Sequence, residues 1–185
     1  DDHFEVTMKA LKAGKHVYTE KPLGVNLEEG KKICEFAAEK GLLVAGAPDT
    51  TFGSMMQTAR RCLDDGLIGT PIGVQAFMTN AGNERWHPNP EFFYKKGAGP
   101  MLDVGPYYLT SLVYLLGSVE EVMGMSRMTS PQRVITSQPH YGKRIDVEVP
   151  TFQTGILKFA SGILGTIFLS FDVQGPDTHG FKIFG

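Results

Sequence analysis

The chain has 185 residues, 42% of them hydrophobic and 21% charged, and a formal net charge of -2. That is apolar material enough for one large domain or two small ones. The absence of any basic block argues against nucleic acid or an anionic membrane as the main partner, and no apolar run approaches membrane-spanning length.

No signal peptide is visible. The opening "DDHFEV" without Met, and the final "FKIFG" that reads as a strand in mid-pattern, suggest a piece of a longer protein. The two cysteines, Cys34 and Cys62, have no CxxC or Cys/His neighbour. They are expected to be buried free thiols in a reducing cytoplasm.

In chain order, residues 3–14 read as a helix, with Phe4, Met8 and Leu11 on one face and Gly14 to end it. "KHVYTE" is a short strand stopped by Pro22. Asn26, three residues before Glu29, resembles a capping box. It opens a helix whose apolar side is Leu27, Ile33, Phe36 and Ala37, and "LLVAG" follows as a buried strand. This helix–strand alternation with short links is the rhythm of an α/β unit with parallel strands, and a boundary is expected near Pro48. Beyond it, "FGSMMQTARRCLDDG" reads as a helix and "IGVQAFMT" as a strand. Residues 80–99 form a long loop whose aromatic content (Trp86, Phe92, Phe93, Tyr94) favours order. A helix is expected from about Pro100 to Leu116, then "EEVMGMSRMT" as a strand and 130–143 as a loop. "VPTFQTGILKF" and "GILGTIFLSFDV" are joined by the turn "ASG", a hairpin signal, and "FKIF" is a last strand. The second part is therefore one or two helices on a mostly antiparallel sheet.

Chemistry concentrates in two places. "YTEKPLG" sets Lys21 at the end of a strand, where parallel α/β folds open into a binding crevice, with Pro22 fixing the turn. A solvated turn lysine would look the same. In "GAGPMLDVGPYYLTSL", Asp103 and Tyr107 are four apart and share a helix face. Alternatively, Asp103 complements the helix N-terminus and Tyr107 is half-buried packing. Gly105 and Pro106 disfavour helix, which predicts a kink or a close backbone approach. No histidine pair has metal-ligand spacing, no G-x-S-x-G is present, and "GVNLEEG" lacks the Lys-Ser/Thr ending of a phosphate-binding loop.

Taken together, "ALKAGKHVYTEKPLGVNLEEGKKICEFAAEKGLLVAG" and "GAGPMLDVGPYY" resemble the two hallmarks of the Gfo/Idh/MocA (glucose–fructose oxidoreductase/inositol dehydrogenase) family. Those hallmarks are A-G-K-H-V-x-x-E-K-P and G-G-G-x-x-x-D-x-G-x-H. "RWHPNPEFF" is similar to the family's W-R segment. The resemblance implies an α/β chain: the end of a Rossmann domain over 1–47, then an α+β substrate-binding and oligomerisation domain with a large open sheet over 48–185. It also implies NAD or NADP as cofactor and a sugar, cyclitol or related polyol as substrate. Dimers or tetramers through the sheet are expected, with no metal, nucleic acid or membrane partner.

By position, Glu20, Lys21 and Pro22 match the E-K-P turn beside the nicotinamide, and Trp86 matches the Trp near the carboxamide. His87 stands where Arg is usual, Asp103 matches the motif's Asp, and Tyr107 stands where His is usual. The expected catalytic set is Lys21, Asp103 and Tyr107, with His87, Asp103 and Tyr107 on the substrate. An unperturbed phenol titrates near ~10 against ~6.5 for imidazole. A basic Tyr107 therefore needs the Lys21 ammonium to favour phenolate, against the opposing charge of Asp103. His87 is the other acid/base candidate. A non-catalytic dinucleotide or sugar sensor of the same fold is the competing expectation.

Overall fold

The computed structural model describes residues 2–185. Their contacts divide into two units, one closing at Asp49 and the next beginning at Thr50. The first contains helix α1 (His3–Lys12), strand β1 (Val17–Thr19), helix α2 (Leu27–Glu39) and strand β2 (Val44–Gly46). The strands are parallel, with Val17 opposite Val44 and Thr19 opposite Gly46, as the alternation predicts. Leu11, Ile33 and Ala37 form the buried centre, and Phe4, Met8, Val17, Phe36 and Val44 pack against it.

The start of α2 is set by side chains. Asn26 is extended, and its Oδ1 accepts the Glu29 N–H at 2.9 Å. Glu29 reaches back to the Val25 N–H at 3.0 Å, one residue before the usual target of a capping box. Two sequence expectations fail on this helix. Leu27 is exposed, and Cys34 is an exposed rather than a buried thiol. Both have the same cause: the buried stripe runs through Ile33 and Ala37, and residues one step round the helix face solvent. Cys62 is free and half-buried.

The second unit holds helix α3 (Ser54–Asp64), strand β3 (Gly73–Thr79), helices α4 (Pro100–Asp103) and α5 (Gly105–Leu116), and strands β4 (Val119–Arg127), β5 (Gln132–Val134), β6 (Arg144–Asp146), β7 (Phe152–Phe159), β8 (Leu164–Ser170) and β9 (Thr178–Phe184). Five strands make a sheet in the order β4-β7-β8-β3-β9. The β3–β8 pair is parallel and the other pairs are antiparallel. The "ASG" turn makes the expected hairpin, closed by Phe159 N–H to Ile163 O at 2.9 Å and Gly162 N–H to Phe159 O at 2.8 Å. The strands β5 and β6, which pair antiparallel, lie where the sequence reads as loop.

Strand alternation gives the sheet one apolar inner face, with Val74, Ala76, Met78, Leu157, Phe159, Ile167 and Leu169 all buried. Helix α5 supplies Tyr108, Leu112, Leu115 and Leu116 to the same core. Burying side chains of this size contributes about 1.5–3 kcal/mol each. Among the described residues, no helix is long and apolar enough to cross a membrane.

Gly165 marks the tightest part of this layer. A Cβ there would stand 2.8 Å from Val74 Cγ1 and 3.2 Å from Phe159 Cε2. Both neighbours are themselves buried and short of room to move. Gly165→Ala is expected to lower stability by about 1–3 kcal/mol, read as a shift of the urea midpoint. An unchanged midpoint would contradict this packing.

Candidate active site

In the first unit, β1 runs out at Thr19 into Glu20, Lys21 and Pro22. Two contacts to α1 hold this exit. Thr7, almost wholly buried, donates its hydroxyl to Thr19 Oγ1 at 3.3 Å. His3 donates Nδ1–H to Pro22 O at 2.8 Å, so the His3 ring is protonated on that nitrogen. The Lys21 N–H reaches Glu20 Oε2 at 3.3 Å. The Lys21–Pro22 peptide is cis. The residues on either side of Lys21 are thus tied to α1 through the Thr19 hydroxyl and the Pro22 carbonyl, while Lys21 itself is only half-buried.

In the second unit, Asp103 and Tyr107 lie on either side of a break. The single helix expected over 100–116 is two pieces. Asp103 closes α4 with its N–H on Gly99 O at 2.9 Å, and the Tyr107 N–H bonds Val104 O at 3.1 Å. The sequence predicts a kink or a close approach at Gly105 and Pro106. The break falls one residue earlier, at Val104, where Pro106 has no N–H to continue the ladder, and Gly105 also meets close neighbours. A Cβ on Gly105 would meet Met101 Sδ at 2.8 Å and Leu169 Cδ1 at 3.4 Å. Met101 N–H is held by Gln153 Oε1 at 3.0 Å, which fastens α4 to β7. Asp103 and Tyr107 are both half-buried.

The loop over 80–99 is ordered, as its aromatics suggest. Short 3-10 turns span Asn83–Arg85 and Glu91–Tyr94, and Phe93 and Tyr94 are buried. His87 sits at the middle of a ring cluster. Its centroid is 5.2 Å from Trp86, 5.4 Å from Phe92 and 5.2 Å from Phe93, each edge-on. His87 Nδ1 accepts the Asn89 N–H at 3.0 Å, which places any ring proton on Nε2 when the imidazole is neutral. Trp86 keeps 65% of its surface exposed, a flat apolar face open to a ligand.

Beneath this loop is a charge cluster that the sequence does not announce. Glu84, Arg133 and Asp172 retain only 8%, 11% and 9% of their side-chain exposure. Arg133 Nη1 donates to Glu84 Oε1 at 2.7 Å. Its Nη2 donates to Asp172 Oδ1 and to Phe171 O, the latter at 3.0 Å. Tyr94 O–H donates to Glu84 Oε2, and Thr151 O–H donates to Asp172 Oδ2 at 2.6 Å. Two carboxylates therefore face one guanidinium, and the surplus negative charge is met by hydroxyl donors. Burial first, and then the hydrogen bond to Glu84, push the Tyr94 phenol well above its ordinary range. Gly82 lies in the left-handed region at φ 105°, where its backbone passes against the Glu84 carboxylate. No sequence signal links partners separated by 49 and 39 residues.

A parallel α/β piece and a helix-backed open sheet follow one another in the chain. Residues 1–47 match the family model "Oxidoreductase family, NAD-binding Rossmann fold", and residues 56–185 match "GFO/IDH/MocA C-terminal domain". The chain belongs to the Gfo/Idh/MocA oxidoreductase family. It is 31% identical over 127 residues to a scyllo-inositol 2-dehydrogenase (NAD(+)) of Bacillus subtilis, a match covering 68% of this chain and 36% of that protein. It is 30% identical over 118 residues to a D-glucoside 3-dehydrogenase of Escherichia coli, covering 62% and 33%. An NAD binding oxidoreductase from Klebsiella pneumoniae shares the fold, with a TM-score of 0.83, 24% identity, and coverage of 100% of this chain and 49% of that one. The chain spans 32% to 55% of the length of the first curated relatives it matches.

Tyr94 carries a pH signature. Its folded-state proton affinity exceeds that of the unfolded chain. The stabilisation is complete below the free-phenol value of 10.0 and is lost as pH rises beyond it. Tyr94→Phe is expected to cost about 1.5–3 kcal/mol near neutrality, since Glu84 loses a donor. Above pH 10 the variant should lose stability less steeply than wild type. Parallel alkaline limbs in denaturant melts would remove Tyr94 as the cause.

Proposed function

We propose that this chain is part of an NAD- or NADP-dependent oxidoreductase that moves hydride between nicotinamide and a hydroxyl-bearing carbon of a sugar, cyclitol or related polyol. The observation that carries the reading is family membership along both units, with the Lys21 turn at the carboxyl end of a parallel strand and Asp103 and Tyr107 around a helix break.

The residues present suit the nicotinamide end of such a cofactor. The Lys21 turn offers a cation on a backbone braced by His3 and Thr7, and Trp86 offers an open aromatic face. Glu20, Lys21, Pro22 and Trp86 would hold that end. When bound, the cofactor supplies the hydride acceptor. Tyr107 takes the proton of the reacting hydroxyl on its phenolic oxygen, a role that needs a cation to favour the phenolate and for which Lys21 is the candidate. Asp103 accepts a hydrogen bond from a substrate hydroxyl. His87 lines the substrate side and is the second candidate for the proton acceptor.

The outer face of the five-stranded sheet supports a homo-oligomer. The register puts Met123 opposite Ile156, and Met125 opposite Thr154, which itself faces Phe168. Met125 is 82% exposed on that face, an open apolar surface of the kind that marks an interaction site. A second copy of the protein is the proposed occupant, and the cytoplasm, where free thiols such as Cys34 and Cys62 persist, is the proposed compartment.

In the full-length protein, Lys21→Met is expected to lower kcat/KM for polyol oxidation at saturating cofactor by about 100-fold or more, with the circular dichroism spectrum unchanged. Near-wild-type turnover would remove Lys21 from the mechanism. Cofactor binding without turnover of any polyol in a broad panel would point instead to a sensor. Met125→Lys should shift sedimentation velocity toward the monomer, and an unchanged sedimentation coefficient would move the interface elsewhere.

A further inference from the structure

Two side chains of the β5–β6 hairpin reach the segment that carries Trp86 and His87. The hairpin is seated by Ile135 and Ile145, both essentially fully buried in the sheet's core. From that base it grips residues 84–87 at successive points. The Arg133 guanidinium takes the Glu84 carboxylate at 2.7 Å. Thr136 and Ser137 N–H groups both donate to Glu84 O, at 2.9 and 3.1 Å. The Ser137 hydroxyl donates to His87 O at 2.6 Å. On the other side, Arg133 is anchored through Asp172 and Phe171 O to the end of β8.

The segment itself has little regular structure to fix it. It contains one 3-10 turn, Asn83–Arg85, followed by Trp86 and His87 N–H groups that share Asn83 O at 3.3 and 3.0 Å. Trp86 is mostly exposed and meets the His87 ring edge-on at 5.2 Å, and the hairpin holds the backbone that carries both rings at Glu84 and His87.

We propose that Arg133 and Ser137 are positioning residues that hold the Trp86–His87 segment in the geometry its ligands require. Arg133 acts through Glu84, and Ser137 acts on the His87 carbonyl. The guanidinium is suited to this because its rigid fork can meet Glu84 and Asp172 on different nitrogens at once, which the single ammonium of lysine cannot reproduce. The inference deepens the oxidoreductase reading and rests on it for the meaning of the segment, while the grip itself can be measured without turnover.

Trp86 is the only tryptophan of these 185 residues, so its fluorescence reports this segment once any tryptophan elsewhere in the full-length protein has been replaced by phenylalanine. In the full-length protein, Arg133→Lys and Ser137→Ala are compared with wild type by time-resolved anisotropy of Trp86, thermal melting and polyol oxidation. The expected result is at least a twofold rise in the amplitude of the fast anisotropy component, with secondary structure retained. It should be joined by a fall of about tenfold or more in kcat/KM, larger for Arg133→Lys than for Ser137→Ala. Folded variants with wild-type anisotropy would overturn the proposal, even if their melting temperatures drop. Should Arg133→Lys not fold, Ser137→Ala decides alone by the same criterion. A wild-type protein that oxidises no polyol would overturn the oxidoreductase reading but leave the anisotropy result to decide the grip.

Discussion

A guanidinium sealed between two carboxylates cannot be left half-paired. The Arg133 side chain is nearly out of water, as are Glu84 and Asp172, and an unpaired ion at that depth would cost several kcal/mol. The three groups therefore form or fail together, and they belong to three distant stretches of chain: the 80–99 loop, the β5–β6 hairpin and the exit of β8. Satisfying one guanidinium fixes the mutual arrangement of all three. Buried ion pairs are weak sources of net stability, since desolvation consumes most of the attraction. What this one supplies is uniqueness: hydroxyls from Tyr94 and Thr151 complete the carboxylates, and no shifted register of the loop would satisfy the same set of donors.

The other half of the site-bearing unit is held by different means. Asp103 and Tyr107 stand on helical pieces pressed against the sheet by apolar contact. Gly105 permits that approach, because its missing side chain makes room for Met101 and Leu169. Leu112, Leu115 and Leu116 anchor the rest of α5. The parallel β3–β8 pair lies at the centre of this layer, and the loop that follows β3 and the Phe171–Asp172 segment that follows β8 leave the sheet at the same end. That is why the polar grip on the loop and the apolar seat of the helix share neighbours: Leu169 touches the Gly105 turn, and Phe171 and Asp172, just beyond, carry the contacts to Arg133.

What could be read from sequence follows the range of the forces involved. The capping of α2 by Asn26, the parallel rhythm of the first unit, the "ASG" hairpin and an irregularity near Gly105 and Pro106 all depend on residues close in the chain, and all are legible, although the helix expected over 100–116 is in fact two pieces. The candidate residues are proposed on another ground, since Glu20, Lys21, Pro22, Asp103 and Tyr107 fall in two short motifs. Arg133 is not legible. It stands in a stretch with no long apolar pattern, its partners are tens of residues away, and the hairpin that carries it has only three residues per strand. Cys34 shows the opposite failure. An apolar residue inside an amphipathic helix reads as core, yet the buried stripe through Ile33 and Ala37 is too narrow to include it.

The division between polar and apolar restraint has a consequence for how such a unit can vary. An apolar seat tolerates exchange among side chains of similar volume, so Leu112, Leu115 and Leu116 can vary in that way, while Gly105 and the Met101–Gln153 bond leave less room. A charge-paired grip tolerates little, because each partner exists to answer another. The segment with Trp86 and His87 is irregular backbone, free to take many sequences. Yet its position depends on the strict complementarity of Glu84, Arg133 and Asp172. Variation can therefore accumulate at the exposed rings of the loop, while the ionic base beneath them must change as a set or stay as it is.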